Sequence, residues 1–191
     1  MIELNIISGT DRPGSNALRV SRYLRTRYRE IEEVMPEIID LRYFPLEQVS
    51  GGPYGKENEE VRKFTTKLLD ADGLCVVVPE YNGGYPGILK LVIDYLPYPS
   101  GLEKKPICFV GEADGAFGAL RAVEQMQQVF SYRNAYIFPE RVYIPRVNDN
   151  FDEEKGISDS FQQQLLDNQI KNFIQFIADT KSQNVLEGLN D

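Results

Sequence analysis

Gly73-Leu74-Cys75-Val76-Val77-Val78-Pro79 decides the fold class of this chain. An apolar run rich in valine, closed by a glycine and a proline, reads as a β-strand. It shows no alternation of apolar and polar residues, so both of its faces are expected to be buried. That places it at the centre of a parallel sheet.

Working outward, Ile2-Glu3-Leu4-Asn5-Ile6-Ile7 alternates and then turns apolar, as a strand entering a core does. Residues 16–30 follow the helical period, with Ala17, Val20, Leu24 and Tyr28 on one face. After Pro36, Glu37-Ile38-Ile39-Asp40-Leu41 reads as the second strand. Residues 43–58, which contain Gly51-Gly52-Pro53, read as a long loop. Residues 59–70 read as a helix with Val61, Phe64 and Leu68 inward. On the other side of the central run, a helix is expected over residues 87–96, a strand at Pro106-Ile107-Cys108-Phe109-Val110-Gly111 and a helix over 118–130. Val142-Tyr143-Ile144 would close the sheet. Residues 148–158 read as a surface loop and residues 161–178 as a final helix, with Leu166, Ile170, Phe173 and Ile177 inward. The chain after Thr180 reads as a mobile tail. Strands alternating with helices throughout predict an α/β fold, a doubly wound parallel sheet with helices on both faces. At 191 residues with no linker, one domain over 1–191 is expected.

Composition narrows the chemistry. A net charge of −8 argues against a nucleic-acid partner. No apolar stretch approaches the ~20 residues of a membrane span, and the first residues carry no basic leader, so no membrane contact and a cytoplasmic setting are expected. The chain has no histidine, which removes Ser-His-Asp and Cys-His catalysis and every His-ligated metal site. Cys75 and Cys108 sit inside apolar runs without a CxxC and read as inert core thiols. No metal site is expected. The remaining sources of chemistry are carboxylates, lysine or tyrosine, or a cofactor.

Three loops fall at the carboxyl ends of the expected strands, where ligands bind in such folds. The first, Ser8-Gly9-Thr10-Asp11-Arg12-Pro13-Gly14-Ser15-Asn16, offers hydroxyls, a guanidinium and the amides of a helix start. Such a start attracts an anion such as phosphate, though a plain helix cap after a tight turn reads equally well. Gly9-x4-Gly14 matches the front of a Walker A loop, but Ser15-Asn16 stands where Lys-Ser/Thr would be needed, which disfavours nucleotide hydrolysis. The second loop, Pro79-Glu80-Tyr81-Asn82-Gly83-Gly84-Tyr85-Pro86-Gly87, has paired glycines that let backbone approach a flat ligand. The third, Gly111-Glu112-Ala113-Asp114-Gly115-Ala116-Phe117-Gly118, is again built of small residues.

Together these loops resemble the NAD(P)H-dependent FMN reductase family, which includes azoreductase-like and quinone- or chromate-reducing members. The resemblance rests on Gly9-Thr10-Asp11-Arg12-Pro13-Gly14-Ser15-Asn16, on Pro79-Glu80-Tyr81-Asn82 and on Pro86-Gly87-Ile88-Leu89-Lys90-Leu91-Val92-Ile93-Asp94, in that order. It covers roughly residues 2–145. It implies a flavodoxin-like five-stranded sheet in the order 2-1-3-4-5, with FMN as cofactor and NADPH or NADH as electron donor. The electron acceptor would be a small molecule and the assembly a homodimer or homotetramer. Carried over by position, Thr10, Arg12, Ser15 and Asn16 would hold the FMN phosphate. Pro79, Glu80, Tyr81, Asn82, Gly83 and Gly84 would line one side of the flavin ring. Glu112, Asp114, Gly115 and Gly118 would line the other. Two positions depart from the family pattern: Gly84 where many members have Ser, and Leu91 where many have Asn.

No catalytic side chain is expected, because the flavin performs the chemistry and the protein positions it. Lys90 and Asp94, four apart on a helix, read as a surface ion pair. The alternatives are a flavodoxin-type electron carrier without NAD(P)H activity and a flavin-free scaffold. Tyr81, Tyr85, Tyr95 and Tyr98 cluster in sequence, and a subunit interface is expected around residues 85–98.

Overall fold

The computed structural model describes residues 1–49 and 58–188. Five parallel strands make one sheet: β1 (Ile2–Ser8), β2 (Val34–Asp40), β3 (Gly73–Pro79), β4 (Pro106–Ala113) and β5 (Tyr136–Pro145). Their order is β2-β1-β3-β4-β5, the flavodoxin-like order of doubly wound sheets. β3 is buried at every position, as its unbroken apolar run requires. Its two faces feed two cores. Leu74, Val76 and Val78 share one with Leu89, Phe109 and Phe130. Cys75 and Val77 share the other with Tyr28, Leu166 and Phe173.

The helices divide accordingly. α1 (Asn16–Arg29) covers the second core, with Ala17, Val20, Leu24 and Tyr28 fully buried. α2 (Leu46–Val49) is a single turn that follows a 3-10 turn at Leu41–Tyr43, so the stretch read as loop opens with helical turns. Its remainder, residues 50–57, lies outside the described residues. α3 (Glu59–Asp70), α4 (Gly87–Asp94) and α5 (Leu120–Tyr132) cover the first core. α6 (Val147–Asn150) is one turn beyond β5. α7 (Ser160–Gly188) returns across the second core and buries Leu166, Ile170, Phe173 and Ile177. Each such side chain contributes roughly 1.5–3 kcal/mol.

Several boundaries differ from expectation for physical reasons. β2 begins at Val34, so Pro36 lies inside the strand, in register with Leu4. A proline is accommodated there because β2 is an edge strand, where a missing N–H can face away from the ladder. α4 stops at Asp94, and α5 starts at Leu120, after Ala119 in the left-handed region. β4 runs on to Ala113, which makes Glu112 a strand residue rather than a loop residue.

β5 is ten residues long, far beyond Val142-Tyr143-Ile144. Its register against β4 jumps from Ile107↔Ile137 to Phe109↔Arg141, a bulge on the β5 side. The fully buried Gln169 of α7 repairs it. Its Nε2 donates to the carbonyls of Phe109 at 3.0 Å and Glu140 at 2.8 Å.

Residues 148–158 are not a plain surface loop. They contain α6 and a small hairpin, β6 (Phe151–Asp152) against β7 (Gly156–Ile157). Phe151 and Ile157 are buried, and the Phe151 ring stands edge-on to Tyr23 at 5.6 Å. The chain after Thr180 continues the helix of α7 to Gly188 rather than forming a tail. Among the described residues, no helix is long and apolar enough to cross a membrane.

Candidate functional site

The first loop leaves β1 where the backbone crowds β3. The Gly9 N–H donates to the Val77 carbonyl at 3.0 Å, and a Cβ on Gly9 would stand 2.3 Å from that same oxygen. Only glycine lets the chain turn out here. Thr10 is buried just beyond. Its Oγ1 accepts from the Arg12 N–H at 3.3 Å and shares a 3.2 Å hydrogen bond with the Tyr81 hydroxyl. Thr10 therefore ties the first loop to the second. Ser15 caps α1, accepting from the Leu18 N–H at 3.2 Å.

In the second loop, Tyr81 and Gly84 exchange backbone hydrogen bonds of 2.8 and 3.1 Å. Asn82 and Gly83 form the tip between them, at φ +53° and +79°. This Asn-Gly pair suits a tight turn with two positive φ angles. The Cβ direction of Gly83 is open, with nothing within 4 Å, whereas Gly84 faces the Gln125 amide, 3.0 Å from its notional Cβ. In the third loop Gly115 is likewise open. Gly118 instead packs on β5, where a Cβ would come within 2.8 Å of the Ile144 nitrogen.

The loops enclose a cavity of about 540 Å³ whose walls include Arg12, Ser15 and Asn16 on one side and Pro79, Tyr81 and Glu112 on the other. A groove of about 210 Å³ continues from it, between Asn82 and Gly83 and the Gly115-Ala116-Phe117 segment. Glu80 and Asp114 border both. Sequence reasoning missed Asn148 of α6. Its Oδ1 accepts from the Asn16 amide at 2.9 Å, and its own amide donates to Asp114 at 2.9 Å. Asn16 in turn accepts from Arg19 at 2.7 Å. This chain of polar contacts joins the first loop to the third, and nothing in the local sequence around Asn148 signals it.

Glu112 is 4% exposed. Burial pushes its carboxyl up to about 7, and neighbouring Asp114 adds to the rise, while the Ala17 N–H and Arg19 pull the other way. Glu80 stands 3.7 Å from Arg121, whose guanidinium lies 5.2 Å over the exposed ring of Phe117.

Comparison with protein families gives a match to the model described as NADPH-dependent FMN reductase over residues 2–149. The chain belongs to that family. It is 27% identical over 186 residues to the NADH-dependent flavin reductase subunit 2 of Lactobacillus johnsonii, spanning 92% of this chain and 97% of that one. It is 27% identical over 143 residues to an NADPH azoreductase of a Bacillus species, spanning 75% and 76%. Among solved structures, the flavoenzyme NAD(P)H:(acceptor) oxidoreductase FerB of Paracoccus denitrificans superposes with a TM-score of 0.72 at 18% identity, covering 94% of this chain and 99% of that one.

This FMN reductase family member presents a donor set that fits its cofactor. At one end a guanidinium, a hydroxyl and a helix N-terminus suit a phosphate. At the other, the open flank of Gly83 and Gly115 leaves room for a flat ring. The main cavity lies within the roughly 300–1,000 Å³ typical of cofactor pockets. The protein is an NAD(P)H-dependent flavin oxidoreductase, and the flavodoxin-type carrier reading falls with the family match.

Proposed function

We propose that FMN lies across the three loops and passes reducing equivalents from NADH or NADPH to small acceptors such as quinones, azo compounds or free flavin. The observation that carries this reading is the continuous cleft from the start of α1 to the Asn82-Gly83 turn. Arg12, Ser15 and Asn16 hold the phosphate, and Thr10 acts beneath them by fixing Tyr81. Pro79 to Gly83 line one side of the ring, with Gly84 turned to the Gln125 amide. Asp114 and Gly115 line the other, with Gly118 keeping the third loop down on β5. Glu112 stands on the cavity wall toward the first turn of α1. Bound FMN supplies hydride chemistry, so the chain needs no general base of its own. Its residues bind, orient and leave one face of the groove open to donor and acceptor in turn.

The same reading places the protein in the cytoplasm as a homodimer. Tyr85 and Tyr95 pack against the core, so the interface does not rest on them. Tyr98 and Tyr132, 69% and 75% exposed, instead flank a cavity of about 470 Å³ between α4 and α5. Lys90 and Asp94, paired at 2.5 Å, form part of its wall.

The deciding experiment mixes FMN-loaded protein anaerobically with NADPH or NADH and no other protein. Rapid bleaching of the oxidised flavin absorbance is expected. A spectrum that stays oxidised with both nucleotides would reject the reading.

A further inference from the structure

The phosphate end of the cleft already contains an anionic group of the protein's own. In the first turn of α1, Ser15 Oγ takes the Leu18 N–H, and the buried Glu112 carboxyl lies near enough to the Ala17 N–H for that amide to favour its charged form. Glu112 arrives from the end of β4 and is held there by its backbone, whose carbonyl accepts from the Glu80 N–H at 3.3 Å. The carboxyl cannot swing to solvent without leaving a buried position on the cavity wall.

An incoming phosphate monoester would be seated at the same helix start, on the cavity that Glu112 lines. Against an ionised Glu112 it would place two anions side by side in a poorly solvated site. The charges facing this point do not cancel that conflict. Arg12 comes from the first loop and Arg19 from α1; Asp114 from the third loop opposes them, and Glu80 of the second loop stands 3.7 Å from Arg121 of α5. α6 contributes only the uncharged Asn148. Arg19 is already engaged, with Asn16 Oδ1 at 2.7 Å and the Phe151 carbonyl at 3.3 Å.

We propose that Glu112 takes up one proton from solvent as the flavin phosphate enters, so that this residue sets the pH range over which the site accepts phosphorylated flavin. The neutral carboxyl then donates its O–H to a phosphate oxygen instead of repelling it. A carboxyl that burial holds near 7 has its proton available around neutrality. This inference rests on the FMN reading above.

The test titrates apo-protein with FMN and with riboflavin between about pH 5.5 and 8.5, following quenching of flavin fluorescence. A plain phosphate site tightens as the phosphate becomes dianionic above about pH 6. Here the opposite sign is expected: FMN affinity falls up to about tenfold per pH unit above 7, the slope of one linked proton. Glu112→Gln should abolish that fall and bind FMN at pH 8.5 about tenfold more tightly than wild type. Riboflavin should show no such slope in either protein. Calorimetry of the wild type at pH 8, in two buffers of different ionisation enthalpy, should report close to one proton taken up per FMN, whether or not the variant folds. Wild-type affinity that is flat or rises with pH, the same slope in Glu112→Gln, or zero proton uptake would overturn the inference while leaving the cofactor reading in place. No FMN binding at any pH would overturn both.

Discussion

Arg12 is an exposed side chain on the cavity wall, and its backbone N–H rests on Thr10 Oγ1. Its guanidinium is thus available to an anion without distorting the loop. Replacing it with alanine should weaken FMN binding by about 1.5–3 kcal/mol, the cost of one charge-assisted hydrogen bond. Riboflavin affinity should not change; fluorescence titration of both ligands checks this. Glu112 carries a second residue-scale expectation, on the fold itself. Its native carboxyl keeps a proton up to about 7, while the unfolded chain releases it in the ordinary glutamate range. Between those pH values the folded state binds more protons, so stability falls as pH rises through the window, by on the order of 3 kcal/mol in all. Urea unfolding at pH 5 and pH 8 should show that loss in wild-type apo-protein and a smaller one in Glu112→Gln. The sequence pointed to Arg12 and Ser15 because a glycine-flanked loop before a helix is a local pattern, and to Asn16 through the family resemblance. It could not place Asn148, whose role depends on a contact spanning 132 positions.

At the scale of elements, the bulge in β5 and its repair by α7 form one unit. Gln169 donates to two carbonyls from different strands, so Gln169→Leu keeps the volume but removes both hydrogen bonds. A loss of roughly 1–3 kcal/mol is expected. It should appear as a lower urea midpoint at unchanged slope. Elements whose limits follow from local chemistry were legible. β3 begins and ends at its glycine and proline, and α3 spans the residues its helical period indicates. β5 was not, because Tyr136–Arg141 lacks a strand's alternation and is held by pairing with β4. The hairpin after α6 was misread for the same reason, since an acidic stretch hid Phe151 and Ile157, whose burial depends on α1 and α7.

For the whole molecule, the alternation of strands and helices made the architecture readable, and the family resemblance supplied the strand order. The surface between α4 and α5 is what remains to be assigned. Changing Tyr98 and Tyr132 together to glutamate should halve the mass measured by light scattering at micromolar concentration. FMN binding should survive, because neither residue lines the cleft. A wild-type protein already monomeric under those conditions would remove the interface.

The family match ends at residue 149, yet the second core does not. Leu166, Phe173 and Ile177 come from α7, and the Ile177 side chain lies where a Cβ on Gly73 would stand, against the first residue of the central strand. During synthesis every strand of the sheet is made before this cover. A nascent chain that has just completed β5 therefore carries one apolar wall that only α1 covers, the situation in which chaperones bind and misassembly begins. The segment that carries the family's signature is in this sense a recognisable unit but not a self-sufficient one.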